Sequence, residues 1–310
     1  MRRIAFYLSA PAVFLLSLSA ASLAMPVYDT DSRSDVHQVR SGPAAGWARS
    51  VGALFSKSRV WDSGQLALRP YGATRNLSKN DRFYDQKAGA VCSGALIAPD
   101  LLLTAGHCLK SSPCEQTYVI FDYYLDSPER DLSRPRPDSV FRCVAVEHSA
   151  LSKDELDDFA VIRLDRSAGR PPLKIARALP RPGAALTAIG ASDGMPLKID
   201  SGARVRYVSP KGFFMADIDA FPANSGSPVL DSATGEILGV LIGSALSDFR
   251  RRPDGTYAYE IITPEILEDV GGEYVISSSR IRELMRGSGA PVVPPVALPS
   301  SKAVLKLPSL

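Results

Sequence analysis

Residues 88–108, AGAVCSGALIAPDLLLTAGHC, contain two short apolar runs, and the second run ends on a histidine between glycine and cysteine. The turn signal Ala98-Pro99-Asp100 separates the runs, as it would in a β-hairpin. His107 follows the second run almost directly, so the end of a buried strand would hold its imidazole. A serine nucleophile needs a base of this kind. His107 is therefore the favoured base among the three histidines of the chain, the others being His37 and His148.

Short β-prone runs continue along the chain and are separated by linkers that carry many of its 24 prolines and 23 glycines. This pattern predicts an all-β barrel or sandwich. One helix is predicted near the C-terminus, where SSSRIRELMRG at residues 277–287 has a serine N-cap, an apolar face and a glycine stop. The main β-prone runs are 118–124, 141–148, 159–164, 185–190, 203–208, 212–218, 227–231, 237–243 and 256–263.

The composition is that of a globular protein. The 310 residues are 45% hydrophobic and 22% charged, with a formal net charge of +3. Arg2 and Arg3 supply two of those charges at the extreme N-terminus, so the remainder is close to neutral. We therefore expect no nucleic-acid partner.

Residues 1–24 are typical of a secretory signal peptide. A positive start, an apolar segment over residues 4–18 and the small residues around Ser22-Leu23-Ala24 follow in the usual order. The apolar segment is too short and too interrupted for a membrane span, so we expect a secreted or periplasmic protein with no stable membrane insertion after signal removal. Residues 25–80 lack periodicity and are predicted to be a propeptide or N-terminal arm, and residues 287–310 a Pro- and Ser-rich tail.

The four cysteines are an even set in a chain expected to reach an oxidising compartment, which predicts two disulfide bonds with three connectivities open. A zinc site is the competing interpretation. It is disfavoured because the chain has no Cys-x-x-Cys pair and only three histidines. We expect no metal and no organic cofactor. The cysteines are Cys92, Cys108, Cys114 and Cys143.

A nucleophile and an orienting acid can be proposed for His107. Ser225 lies in PANSGSPVL, residues 222–230, a polar turn before an apolar strand. Asp158 lies in DDFAVIRLD, at the entrance of another apolar strand, and its neighbours Asp157 and Asp154 are rivals. A catalytic histidine needs such a carboxylate to fix its tautomer and stabilise the imidazolium.

Three blocks, CSGALIAPDLLLTAGHC, DFAVIRL and NSGSPVL, resemble the signatures of chymotrypsin-like serine peptidases, and most closely the bacterial secreted branch that includes glutamyl endopeptidases. The blocks follow in the family's order, His, Asp, Ser. The resemblance covers roughly residues 80 to 286. It implies two six-stranded antiparallel β-barrels, one over about 81–175 and one over about 176–275, with a terminal helix at 277–286 in a peptidase domain spanning 81–286.

The resemblance also implies roles for single residues. His107 would be the general base, Asp158 its partner and Ser225 the nucleophile, while the backbone N–H groups of Ala223 and Ser225 would form the oxyanion hole. The family's disulfide around the histidine corresponds to Cys92–Cys108, and Cys114–Cys143 would be the second pair.

The chain departs from the family at Ala223 and Asn224, and Asp219 bears on its specificity. Ala223 stands where a glycine is usual, and a positive φ there would strain its backbone. Asn224 replaces an aspartate that binds a new N-terminal ammonium in the trypsin branch, so that switch is not expected. Asp219 lies six residues before Ser225, where trypsin-like enzymes carry the acid that selects Arg or Lys, and it is a candidate for the specificity pocket, with Asp217 as a competitor. The chain lacks a histidine after His148, so a preference for Glu has little support.

These features together predict a secreted serine endopeptidase acting on protein or peptide substrates. Two alternatives stay open. A catalytically weak homologue could serve as a peptide-binding module, which Ala223 favours. An esterase could use Ser192, because residues 190–194, GASDG, match the Gly-x-Ser-x-Gly elbow of α/β-hydrolases, although Pro196 follows where that elbow needs a helix.

Overall fold

A computed structural model describes residues 26–39, 41–152, 156–243 and 249–287. The predicted signal peptide and residues 288–310 of the predicted tail lie outside these ranges. The strands are β1 Val27–Tyr28, β2 Arg33–Asp35, β3 Val51–Ser56, β4 Arg69–Pro70, β5 Lys87–Ala88, β6 Cys92–Ala98, β7 Leu101–Thr104, β8 Thr117–Ile120, β9 Val140–Ser152, β10 Asp157–Leu164, β11 Leu186–Gly190, β12 Lys198–Asp200, β13 Val205–Val208, β14 Phe213–Ala216, β15 Pro228–Asp231, β16 Ile237–Gly243, β17 Phe249–Arg251, β18 Tyr257–Tyr259, β19 Ile261–Ile262 and β20 Glu273–Ser277. The α-helices are α1 Ala44–Trp47, α2 Tyr71–Thr74, α3 Gly106–Ser111, α4 Pro264–Val270 and α5 Ser278–Gly287.

Six antiparallel strands close into the first barrel in the order β10-β7-β6-β3-β8-β9. Ala98 pairs with Leu101, so the predicted turn at Pro99-Asp100 joins β6 to β7 as a hairpin. Apolar side chains fill the barrel, among them Phe121 and Phe141, whose rings meet edge to face at 5.4 Å. The predicted first barrel is confirmed.

The first barrel begins earlier than predicted. Val51–Ser56 is strand β3, which pairs with β6 on one side and with β8 on the other. Residues 27–28 and 33–35 also belong to sheets, because β1 pairs with β19 and β2 with β12. A domain start at residue 81 is therefore wrong, and the described part of residues 25–80 is not a loosely attached arm. The first five residues of β3 are all buried, and a strand buried on both faces lacks the alternation that would reveal it in the sequence.

The second half of the fold is an open sheet, not the predicted closed barrel of six strands. Eight strands pair in the order β13-β14-β20-β16-β15-β11-β12-β2. A single bridge, Ala185 with Arg204, joins the segments before β11 and β13. Strand β2 covers the outer edge of β12, with Asp35 opposite Lys198. The N-terminal segment thus adds a strand to this sheet, and it protects the backbone groups at the edge of β12.

The predicted C-terminal helix is confirmed as α5. Ile281 is fully buried on its inner face. Arg280 forms two hydrogen bonds with the carboxylate of Asp157, at 2.8 Å and 2.7 Å. Asp157 is the first residue of β10, so the helix docks on the first barrel. Among the described residues, none of the helices has the length and apolarity that crossing a bilayer requires.

Candidate active site

His107 and Asp158 form a hydrogen-bonded pair. His107 follows the first residue of α3, Asp158 is the second residue of β10, and the distance from His107 Nδ1 to Asp158 Oδ2 is 2.6 Å. The backbone N–H of His107 also donates to Asp158 Oδ1 at 2.9 Å. Because the carboxylate accepts the proton on Nδ1, Nε2 is left as the basic nitrogen of the ring.

Gly106 allows this close approach. A Cβ on Gly106 would lie 2.5 Å from the carbonyl oxygen of Ala150, 3.0 Å from that of Phe159 and 3.1 Å from Asp158 Oδ1. Any larger residue would push α3 away from β10. The sequence Ala-Gly-His therefore sets the distance between the imidazole and the carboxylate through the backbone as well as through the side chains.

The Ser225 turn packs against the segment that carries His107. The backbone N–H of Ser93 donates to the carbonyl of Ser225 at 2.8 Å, and Cys108 Sγ lies 3.7 Å from the same oxygen. Gly226, with φ +86°, comes so close to β6 and β7 that a Cβ would lie 2.0 Å from the carbonyl oxygen of Ser93. Ser225 and the His107–Asp158 pair thus lie along the same seam between the two halves of the fold.

The two disulfide bonds join Cys92 to Cys108 and Cys114 to Cys143. The first links β6 to α3 directly after His107 and spans 16 residues of sequence. It restricts the position of the helix that carries the imidazole. The second ties the turn before β8 to β9.

The turn before Ser225 leaves two backbone donors free. Ala223 has φ +72°, and its carbonyl accepts a hydrogen bond from Ser93 Oγ at 2.9 Å. Within the described part of the chain, the backbone N–H groups of Ala223 and Ser225 find no acceptor. Two such N–H groups on either side of one peptide are the elements from which an oxyanion hole is built.

A protein-family model for the trypsin-like peptidase domain matches residues 92–240, which include His107, Asp158 and Ser225. The chain carries a trypsin-like peptidase domain. The match bears out, for this domain, the predicted resemblance to chymotrypsin-like serine peptidases and the predicted class of hydrolase.

Single relatives are similar over part or all of the domain. The CLIP domain-containing serine protease HP8 of Bombyx mori is 35% identical over 91 residues, which are 26% of this chain and 25% of that protein. The chain therefore spans a quarter of the length of that relative. The VesB protease of Vibrio cholerae has a similar fold, with a TM-score of 0.51 and 17% identity over 83% of this chain and 67% of that one. A Glu endopeptidase structure gives a TM-score of 0.48 and 16% identity over 85% of this chain and 99% of that one.

Asp219 lines a cavity of about 270 Å³, but residues of the N-terminal segment hold its carboxylate. It is 2% exposed, and its carboxylate accepts hydrogen bonds from the backbone N–H groups of Tyr28 at 2.7 Å and Ser32 at 2.6 Å. Ser32 Oγ lies 2.7 Å from Asp219 and 2.6 Å from Asp200. The role of Asp219 in a specificity pocket stays a prediction, and the N-terminal segment engages both of its carboxylate oxygens. Spacing from Ser225 could find the aspartate but not the segment that covers it.

The carboxyls of Asp219 and Asp200 influence each other. Burial, with the adjacent charge of Asp200 as the second cause, raises the pKa of Asp219 to about 7. Burial also raises the pKa of Asp200 above its usual value. The pair therefore tends to retain a proton under conditions in which exposed aspartates are ionised.

Ser192 is not placed as a nucleophile. It is fully buried in a short 3-10 turn, Ser192–Gly194, and its hydroxyl accepts a hydrogen bond from Arg33 Nη1 at 2.8 Å. No α-helix follows the turn, because residues 198–200 form β12. An elbow that opens a helix is thus missing, and the esterase alternative loses its structural basis.

The remaining histidines lie in other surroundings, and the sulfur atoms near His107 are not available to a metal. His37 Nδ1 lies 3.2 Å from the carbonyl oxygen of Leu125, and His148 pairs with Val161 across β9 and β10. Potential ligand atoms of Cys92, Cys108 and His107 lie within 4.8 Å of one another, but both sulfurs belong to a disulfide bond. Cysteine binds zinc as a thiolate, which a disulfide sulfur is not, so this cluster does not fit a zinc site.

Proposed function

We propose that the protein is an exported serine endopeptidase that cleaves peptide bonds through an acyl-enzyme. Ser225 Oγ attacks the scissile carbonyl carbon while His107 Nε2 takes the hydroxyl proton. The tetrahedral intermediate collapses, the C–N bond breaks, and the leaving amine takes that proton from His107. A water molecule, deprotonated by His107, then hydrolyses the acyl ester and restores Ser225. No metal or organic cofactor takes part.

Asp158 and the turn before Ser225 supply the electrostatic part of this mechanism. Asp158 orients the imidazole and stabilises the imidazolium that forms in each half of the reaction. The N–H groups of Ala223 and Ser225 donate to the oxyanion. Removal of one such donor typically lowers turnover by about 100-fold or more.

The observation that carries the proposal is the convergence of three distant segments on one seam. The 2.6 Å contact between His107 and Asp158 fixes the base, and the contacts of the Ser225 carbonyl with Ser93 and Cys108 bring the nucleophile turn to the same helix. The trypsin-like domain match over residues 92–240 supports the same chemistry.

Two assays on the purified protein test this function. A fluorophosphonate probe, followed by mass spectrometry of a digest, should label Ser225 at one probe per chain. A mixed peptide library should be cleaved by the same preparation and reveal the preferred side chains. Ser225→Ala should lose both signals, whereas Ser192→Ala, the matched control, should keep the label on Ser225. A folded wild-type protein that neither reacts with the probe nor cleaves the library would refute the proposal.

The second candidate function is a weakly active homologue that binds peptides. The positive φ of Ala223 favours it, because a residue with a Cβ holds the oxyanion turn under strain. Under this alternative the library would bind to the protein and stay intact. Labelling of Ser225 at one probe per chain would exclude it.

Export and maturation belong to the same proposal. Two disulfide bonds fit an oxidising compartment, and the predicted cut after Ala24 precedes all the described strands. We expect a mature chain that begins shortly before Val27. N-terminal sequencing of the exported protein checks this. An active mature form starting near residue 81 would contradict it, because such a form lacks β3 of the closed barrel.

A further inference from the structure

A basic cavity adjoins the turn that would form the oxyanion hole. Its volume is about 280 Å³, and Pro222 and Ala223 line it on one side. Arg59, Arg69 and Arg75 line it as well. Three arginines therefore surround a space that begins at the backbone where a scissile carbonyl would bind.

Two of the three arginines give the cavity a net positive charge. Arg75 is paired with Asp193, so these two charges compensate each other. In contrast, Arg59 and Arg69 have no carboxylate within ion-pair distance among the residues that the structure describes. Arg69 is exposed at the rim. An arginine in this position can offer two parallel N–H groups to a carboxylate.

The wall of the cavity is held in position by its own hydrogen bonds. Arg59 Nη1 donates to the carbonyl of Gly89 at 3.1 Å, which fixes the guanidinium at the wall. The N–H groups of Gly89 and Ala90 both donate to the carbonyl of Gly194, at 2.8 Å and 3.1 Å. A preorganised cationic site loses little conformational entropy when it binds an anion.

The cavity lies on the side of the seam toward which the leaving amine would depart. Val91 lines it and precedes Cys92, whose sulfur is bonded to Cys108, the residue after His107. In the proposed mechanism His107 hands its proton to the leaving amine, so that amine departs on the side of His107 and its disulfide. The residues that follow the scissile bond would therefore pass this cavity.

We infer that Arg59 and Arg69 form a subsite for an acidic side chain on the leaving-group side of the substrate. This inference rests on the proposed endopeptidase function and adds a substrate preference to it. Arg69 binds the incoming carboxylate at the rim, and Arg59 stabilises it from the wall. Residues before the scissile bond do not enter this subsite.

Quenched fluorescent peptides test the subsite. The peptides share one sequence up to the scissile bond, taken from the library result, and carry Glu, Gln or Lys at each of the first three positions after it. The ratio of kcat/KM for Glu over Gln should be about three- to tenfold in the wild type at one or more of these positions. In Arg69→Glu the ratio should fall below one, and Lys should become preferred over Gln.

Arg177→Glu is the matched control, since Arg177 is an exposed arginine that lines a different cavity. Its Glu-to-Gln ratio should equal that of the wild type. Equal rates for Glu and Gln in the wild type, or a preference for Glu that persists in Arg69→Glu, would overturn the subsite.

The subsite can be separated from the proposed function by measuring binding without turnover. The same peptides bind to Ser225→Ala, and fluorescence anisotropy gives their affinities. A wild type that cleaves no peptide while Ser225→Ala binds the Glu peptide three- to tenfold more tightly refutes the endopeptidase and supports the subsite. Cleavage with equal affinities and equal rates refutes the subsite alone.

Discussion

Replacing Ala223 with glycine should stabilise the protein. Ala223 has φ +72°, a conformation that costs a residue with a Cβ roughly 1–2 kcal/mol. Glycine adopts it freely but loses more chain entropy on folding, roughly 0.5–1 kcal/mol relative to alanine. Ala223 is only half-buried, so the lost methyl group costs less than the roughly 0.8 kcal/mol of a fully buried one. The balance favours Ala223→Gly by a few tenths to about 1 kcal/mol.

Urea unfolding at neutral pH measures this difference, and Ala220→Gly provides the matched control. Ala220 is fully buried and is not among the residues with positive φ, so its replacement should lower the free energy of unfolding by about 1–2 kcal/mol. Ala223→Gly keeps its backbone N–H, and its kcat/KM should not fall below that of the wild type. If both variants lose equal stability, Ala223 is not strained and the reason for expecting weak catalysis disappears.

Three further perturbations give distinct outcomes. Arg280→Ala should lower kcat by about tenfold with little change in KM and shift the acidic limb of the pH–rate profile, because Arg280 holds Asp157 beside Asp158. Arg280→Lys should restore part of the rate. An equal loss of kcat in Arg282→Ala would argue that Arg280 does not position Asp158. Replacing both Cys92 and Cys108 with serine should lower the free energy of unfolding by about 3 kcal/mol and also lower kcat. Replacing both Cys114 and Cys143 should lower the free energy of unfolding by a similar amount and leave kcat unchanged. Equal losses of kcat in the two variants would contradict this prediction. The free energy of unfolding should fall as pH rises from about 4 to 7, by at most about 1.4 kcal/mol per pH unit. In the folded protein Asp219, with a pKa of about 7, retains a proton that the unfolded chain releases at a pKa near 3.8. Urea unfolding at pH 5 and pH 8 should show a smaller fall for Asp219→Asn than for the wild type, and equal falls would contradict the assignment.

Local sequence carried most of the information about the first barrel and the candidate site. The residues around His107, Asp158 and Ser225 lie within short segments whose turns and strands form from nearby residues. Gly106 and Gly226 show why: each allows a backbone contact that a Cβ would block, so these residue types are tied to the geometry. Such constraints remain visible in a single sequence.

The N-terminal segment could not be predicted in this way. Strand β2 has the sequence Arg-Ser-Asp, which is typical of a surface loop, yet Arg33 is 1% exposed. Its guanidinium lies 4.1 Å from the ring centre of Phe221 and 4.8 Å from that of Tyr259, and Asp31 pairs with it at 2.8 Å. Asp31 is two residues away, but Phe221 and Tyr259 are far away in sequence. Burial of a charge depends on all of them at once, so no local pattern indicates it.

A single segment accounts for the principal departures from the predicted domain. Strand β2 extends the second sheet at the edge of β12, while Tyr28 and Ser32 bind the carboxylate of Asp219. Both contacts are made by residues 28–35, because the same short segment binds Asp219 and then pairs with β12. The acid that would select a basic side chain is therefore used in folding. Arg59 and Arg69 stand outside this network, beside Ala223 and without acidic partners among the described residues, and the proposed subsite uses their charges.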